Sequence, residues 1–113
     1  MDRFNNWLEN LKTHWINKDI DSIMDMFDNS AKYFETPFQE IVGYSSIRNA
    51  WHEIDEQNIE NLTYELLGIK DDTVIANYIL YLSNNEVINM VYQIELNKNN
   101  KCIYFKQWFM QKK

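Results

Sequence analysis

The sequence has very little cysteine, proline and glycine. Among its 113 residues there are one cysteine, one proline and two glycines. The single Cys102 excludes an internal disulfide framework and a cysteine-based zinc site. With so little glycine and proline, the chain has few residues suited to long irregular loops.

Basic residues and long apolar runs are also scarce. Seventeen Asp and Glu against eleven Lys and Arg give a net charge of −6 and a pI near 4.8. This balance disfavours nucleic acid or an anionic membrane as a partner. No apolar run approaches the roughly 20 residues that a membrane helix needs, and the charged N-terminus is unlike a signal peptide. We therefore expect a cytoplasmic protein.

Hydrophobic and aromatic residues, at 45% and 15%, are abundant. They exclude a disordered chain, and the length predicts a single domain over residues 1–113. Helical spacing of apolar residues predicts a helix over 2–17. A second helix, capped by Asp19 or Asp21, should end near Phe27, and a third should follow Gly43.

The second half of the chain has the patterns of β-strands. Four segments are β-branched, aromatic and partly alternating, with short polar turns between them, and they cover residues 60–69, 73–83, 86–97 and 101–110. Helices followed by such a meander predict an α+β domain, with three N-terminal helices packed on one face of a curved antiparallel sheet.

The turns predict which side chains share a sheet face. A two-residue loop at Asn84-Asn85 and a four-residue loop at 98–101 place Asn77, Tyr92 and Gln107 side by side on the inner face. This polar row either lines a cavity that a ligand enters or consists of groups that satisfy one another in the core.

The opposite sheet face is predicted to carry apolar residues, Tyr78, Leu80, Val91 and Trp108. A sheet face in contact with water alone should be more polar. We therefore expect this face to form the interface of a homodimer.

The order of these motifs resembles a known superfamily. The segments DIDSIMDMF (19–27), SAKYFETPF (30–38) and GYSSIRNAW (43–51), followed by the meander, are similar to NTF2-like proteins of the SnoaL-like and ketosteroid-isomerase-like branch. The resemblance implies a cone-shaped fold with a pocket between helices and sheet, and pairing through the outer sheet face. It does not define an activity, because this scaffold hosts several enzymes and non-enzymatic binders.

The residues at the family's catalytic positions argue against ketosteroid isomerisation. The position of the isomerase's carboxylate base is Thr36, and the two oxyanion-hole positions align with Leu11 and Tyr92. Alternation along the strand should turn Glu35 away from the cone. The expected pocket therefore contains no carboxylate on its strands.

Aromatic residues and one histidine complete the set of candidate ligand-binding residues. The resemblance places Trp51 and Phe109 at the border of the cone, and Tyr64 belongs to the predicted inner face. His14 lies at the edge of the first helix's apolar stripe, where it tips into the cone or stays at the rim. His14 and His52 lack metal-ligand spacing, so we expect no metal and no cofactor.

Two functional hypotheses follow. The first is a pocket protein that binds a small, largely apolar or ring-shaped molecule, with catalysis left open. The alternative is a non-catalytic dimerisation or protein-interaction module whose cone is plugged by Phe105, Met90 and Tyr64. A continuous cavity beside Asn77, Tyr92, Gln107 and Trp51 favours the first.

Overall fold

The computed structural model describes residues 2–112 as three α-helices, a short 3-10 helix and six strands. In chain order these elements are α1 (Asp2–Ile16), α2 (Ile20–Asp25), β1 (Phe27–Thr36), β2 (Gln39–Ile41), α3 (Tyr44–Trp51), the 3-10 helix (His52–Glu56), β3 (Ile59–Lys70), β4 (Thr73–Leu82), β5 (Val87–Leu96) and β6 (Cys102–Lys112). The predicted α+β class and the three N-terminal helices are confirmed. Within the described residues, no helix combines the length and apolar character needed to cross a membrane.

The helices form where the sequence predicts them, for identifiable reasons. Five apolar residues of α1 recur at helical spacing and are buried: Phe4, Trp7, Leu8, Leu11 and Trp15. The Asp19 carboxylate caps α2 by accepting hydrogen bonds from the Ser22 amide and hydroxyl, at 3.2 and 2.7 Å. Gly43 precedes α3 with φ of 97°, which glycine adopts without strain.

The sheet is larger and more mixed than the predicted meander. Its strand order is β2-β1-β6-β5-β4-β3, and β1 runs parallel to β6 while the other neighbours are antiparallel. The strands β1 and β2 were not part of that meander. The pairing of β1 with β6 is interrupted after Phe27, where Asp28 accepts hydrogen bonds from the Ser30 amide and hydroxyl, and it resumes at Lys32.

The predicted register between β4 and β5 is wrong by one residue. Leu82 and Glu86 pair across a three-residue loop in which Asn85 has φ of 70°, so the loop is not the two-residue turn that we expected. Tyr92 consequently lies opposite Ala76 rather than Asn77. Because side chains alternate along a strand, this shift exchanges the two faces of β4 relative to the prediction.

The corrected register moves the predicted dimer residues of β4 into the core. Tyr78 and Leu80 are both fully buried, so the prediction that they lie on the outer face is wrong. The Tyr78 hydroxyl donates a 2.7 Å hydrogen bond to the Leu8 carbonyl, which ties the centre of the sheet to α1. Val91 and Trp108 do lie on the outer side of the sheet, half-buried and exposed respectively.

Two β-bulges set the register of β3 and β6 with their neighbouring strands. An irregularity at Leu67 keeps the predicted inner residues of β3 inward, with Leu62 opposite Leu80. In β6, the predicted pairing of Tyr92 with Gln107 is present, but a bulge follows and sets Phe109 opposite Val91. Phe109 therefore points to the outer face with 47% of its surface exposed, so its predicted place at the cone is wrong.

The register assignment is testable by truncating neighbouring residues of β4. Leu80→Ala removes a fully buried side chain, and we expect it to lower the free energy of unfolding by about 2–5 kcal/mol. Ile79→Ala, on the half-buried outer face, should cost about 1 kcal/mol or less. Urea denaturation of both variants measures the difference. A larger loss for Ile79→Ala would contradict the observed faces.

Candidate functional site

A cavity of ≈ 390 Å³ lies between the inner face of the sheet and the helices. The segment from α3 through the 3-10 helix covers it on one side, and β1, β5 and β6 form the other. The lining residues are Trp15, Tyr33, Phe34, Glu35, Thr36, Ala50, Trp51, Glu53, Ile54, Gln57, Leu80, Ile88, Met90, Tyr92, Phe105, Gln107 and Met110.

Aromatic rings in mutual contact make up much of this lining. Tyr33 stacks on Phe105 with ring centroids 5.0 Å apart, and Tyr92 lies 4.7 Å from the same Phe105 ring. Trp15 and Trp51 meet edge to face at 5.2 Å. Because these rings are packed against one another, their positions are fixed without a ligand and the cavity is preformed.

The two phenols in the cavity are largely removed from water. The Tyr92 hydroxyl contacts the Met90 sulfur at 3.2 Å, which is a weak acceptor. The Tyr33 hydroxyl has no hydrogen-bond partner within residues 2–112. Burial, and secondarily nearby acidic groups that include Glu35, raises the pKa of both phenols. Both are therefore neutral at physiological pH.

A carboxylate lines the cavity, contrary to the expectation from the sequence. Glu35 has the same strand parity as the buried Tyr33, and it lies at a bulge where the pairing of β1 with β2 skips one residue. Bulges redirect side chains. The prediction for Glu35 counted alternation from Thr36, and it failed because the bulge lies between Phe34 and Thr36. Glu53, on the 3-10 helix, adds a second and more exposed carboxylate.

Four of the predicted ligand-binding residues line this cavity. They are Trp51, Tyr92, Gln107 and Thr36. Trp51 is 4% exposed, and its indole Nε1 is buried without a hydrogen-bond partner among the described residues. Thr36 lies at the exposed end of β1, so it contributes at the rim rather than in the interior.

The other four predicted residues lie elsewhere. Asn77 is on the outer face, where its amide donates to the Met90 carbonyl at 2.9 Å and to Asn89.

Phe109 is displaced outward by the bulge described above. Tyr64 is on the inner face but beyond the cavity, beside Tyr78, and donates to Glu9 at 3.0 Å. His14 borders a depression on α1.

Other depressions offer less enclosed sites. The one beside His14 has a volume of ≈ 500 Å³ and includes Arg3 and Lys101, and another of ≈ 630 Å³ surrounds the β3–β4 turn. Both are more open than the aromatic cavity. Within residues 2–112, no group of three or more His, Cys, Asp or Glu is placed to hold a metal ion.

The sulfur of Cys102 does not belong to the site. It is buried at the start of β6 and contacts the Tyr104 carbonyl at 3.2 Å. Burial raises the pKa of this thiol, so it stays protonated and unreactive at neutral pH.

Comparison with solved structures identifies the fold. The chain is similar to an NTF-2 like protein of unknown function from Burkholderia xenovorans LB400, with a TM-score of 0.76, 17% identity, and coverage of 96% of this chain and 83% of that one. It is also similar to the epoxide hydrolase/cyclase-like enzyme SalBIII, which has a role in pyran ring formation in salinomycin, with a TM-score of 0.72, 16% identity, and coverage of 96% and 93%. A third similar structure is the Δ5-3-ketosteroid isomerase from Mycobacterium sp., with a TM-score of 0.68, 9% identity, and coverage of 98% of both chains.

The chain therefore has the NTF2-like cone fold, as the sequence motifs indicated. No protein-family model matches the sequence, and no curated protein matches it. At identities below 20%, these similarities define the architecture, and the activity must be inferred from the residues of the cavity.

The buried phenols predict a specific loss of stability at alkaline pH. Burial raises the pKa of Tyr33, Tyr78 and Tyr92. Below pH 10 both the folded and the unfolded chain hold these protons, so stability does not depend on them. Above pH 10 the unfolded chain releases them first, and the free energy of unfolding should fall by about 1.4 kcal/mol per pH unit for each phenol.

Urea unfolding between pH 8 and 11 measures this slope. Tyr92→Phe removes one of the three phenols, so its slope above pH 10 should be shallower than that of the wild type by about 1.4 kcal/mol per pH unit. An identical slope in the two proteins would show that Tyr92 ionises equally in the folded and unfolded chains.

Proposed function

We propose that this protein binds a small, largely apolar molecule in the cone cavity. The observation that carries the proposal is a preformed cavity of ≈ 390 Å³ with an aromatic lining and a few polar groups. Ligand sites in proteins commonly have volumes of roughly 300–1,000 Å³ and this mixture of surfaces. The space corresponds to roughly a dozen water molecules, or to a molecule with two or three fused rings.

The arrangement of the cavity favours ligand binding over the plugged-cone alternative. Phe105 and Met90 form part of the lining of a cavity of ≈ 390 Å³, and Tyr64 packs elsewhere, beside Tyr78. The polar groups of Tyr33, Tyr92 and Gln107 lie on this lining and can orient a ligand. Leaving such groups beside an accessible space costs less than burying them unpaired.

Tryptophan fluorescence provides a direct test of binding. Trp15 and Trp51 line the cavity, so an occupant should change their emission. We expect 2-naphthylmethanol, a neutral bicyclic probe, to quench this emission saturably. Ala50→Leu extends a side chain into the cavity and should weaken binding by about tenfold or more, since it occupies ligand volume.

Asn49→Leu is the matched control, because it adds the same side chain to an exposed position of the same helix. It should leave the affinity unchanged. Absence of saturable quenching in the wild type, or an equal effect of the two substitutions, would contradict binding in the cavity.

We also propose that the outer sheet face pairs two copies of the chain. Trp108 and Phe109 are 50% and 47% exposed there, and Ile75, Ile79 and Val91 lie half-buried beside them. Trp108 is held in place by a 2.8 Å hydrogen bond from its Nε1 to Gln93 and by the Lys106 ammonium over its ring. Ordered, exposed aromatic residues on a sheet are typical of protein interfaces.

Sedimentation equilibrium tests the dimer. We expect a dimer at micromolar concentration and a monomer for Phe109→Glu, because a charge in the centre of an apolar interface would be buried without a partner. Phe38→Glu is the control, since Phe38 is 97% exposed in the β1–β2 turn and not on this sheet face. A monomeric wild type would exclude the interface.

A further inference from the structure

The charged side chains that line the cavity all have the same sign. Among its lining residues the charged side chains are Glu35 and Glu53, and that lining contains no Lys, Arg or His. Basic residues of the neighbouring elements do not belong to the lining: Arg48 of α3 pairs with Asp21, and His52 contacts Asp55. Lys106 of β6 lies with its ammonium over the rings of Phe34 and Trp108. The cavity therefore has a negative potential and nothing within it to balance an anion.

Neither carboxylate forms an ion pair. Within residues 2–112, Glu35 and Glu53 have no basic partner, whereas other acidic residues pair with Arg3, Arg48 and Lys112. Glu35 is half-buried and has the inward parity of Tyr33; after burial itself, its charge is among the causes that raise the pKa of Tyr33 and Tyr92, so it lies near both phenols. A half-buried carboxylate without a partner is costly unless something of opposite charge approaches it.

Two further features of the cavity suit a cation. The Tyr33 side chain lines the cavity with 8% of the residue's surface exposed, and its hydroxyl forms no hydrogen bond with another of the residues 2–112. A neutral phenol can accept a hydrogen bond from an ammonium group. The aromatic rings of Tyr33, Trp51 and Phe105 also line the cavity, and aromatic rings are groups that stabilise cations in proteins.

We infer that the cavity's ligand is a protonated amine carried on an apolar ring system. The ring body packs among the aromatic residues, and the ammonium lies at the mouth between Glu35, Glu53 and the Tyr33 hydroxyl. This inference rests on the proposed binding function and specifies its ligand class. It disfavours carboxylate and phosphate ligands, which would be repelled by both glutamates.

Three naphthalene probes of matched shape and different charge separate the possibilities. They are 2-naphthylmethylamine, 2-naphthylmethanol and 2-naphthoate at pH 7, each titrated against tryptophan fluorescence. We expect the amine to bind about tenfold more tightly than the alcohol, and the carboxylate to bind more weakly than both. Raising the salt concentration should reduce the advantage of the amine, because the glutamates are partly exposed.

Substitutions of single carboxylates then test which residue causes the preference for the amine. Glu35→Gln keeps the size of the side chain and removes its charge, so the amine should lose about tenfold in affinity while the alcohol is unaffected. Glu40→Gln is the control, because Glu40 is exposed on β2 and does not line the cavity. Glu53→Gln should give a smaller loss than Glu35→Gln, since Glu53 is the more exposed of the two.

The outcomes distinguish this inference from the proposed function. If the alcohol binds as tightly as the amine, or Glu35→Gln changes the affinities for both equally, the amine preference is wrong and the binding function stands. If the carboxylate binds most tightly, the sign of the potential has been misjudged. If none of the three probes binds, both the inference and the proposed function fail.

Discussion

The pairing of β4 with β5 controls the rest of the structure. Once Asn85 adopts a left-handed conformation, the loop takes three residues and the register of the hairpin is fixed. That register turns Tyr78 and Leu80 towards α1, where the Tyr78 hydroxyl binds the Leu8 carbonyl. The helices then have one apolar face to pack on, and the cavity remains where α3 and the 3-10 helix diverge from the sheet.

Bulges set where the inward-facing parts of β1 and β6 end. Glu35 has the inward parity of Tyr33, and the pairing of β1 with β2 shifts between Phe34 and Thr36. In β6 the bulge follows the paired Gln107 and turns Phe109 to the outer face. Because a bulge inserts one residue and exchanges the faces beyond it, the exposed position of Phe109 is a consequence of this irregularity in hydrogen bonding.

The sequence predicted the helices and the strands of the meander correctly, but it assigned the side chains of β4 to the wrong faces of the sheet. The helical spacing of Leu8, Leu11 and Trp15 is a strong local signal, and it fixed α1 and its buried side. Trp51, Tyr92 and Gln107, three of the predicted ligand-binding residues, line the cavity. Asn77, Tyr78 and Leu80 were placed on the wrong faces because a loop that is one residue longer reverses every side chain of a strand.

The sequence by itself determined the α+β class, the order of the helices and the four-strand meander, because periodicity and capping are local properties of the chain. It also pointed to the NTF2-like cone fold. Only the tertiary structure decided that Glu35 lines the cavity and that β1 joins the sheet in parallel with β6. Parallel pairing and bulge positions depend on contacts between residues about 70 positions apart, such as Tyr33 and Phe105, and no local pattern specifies them.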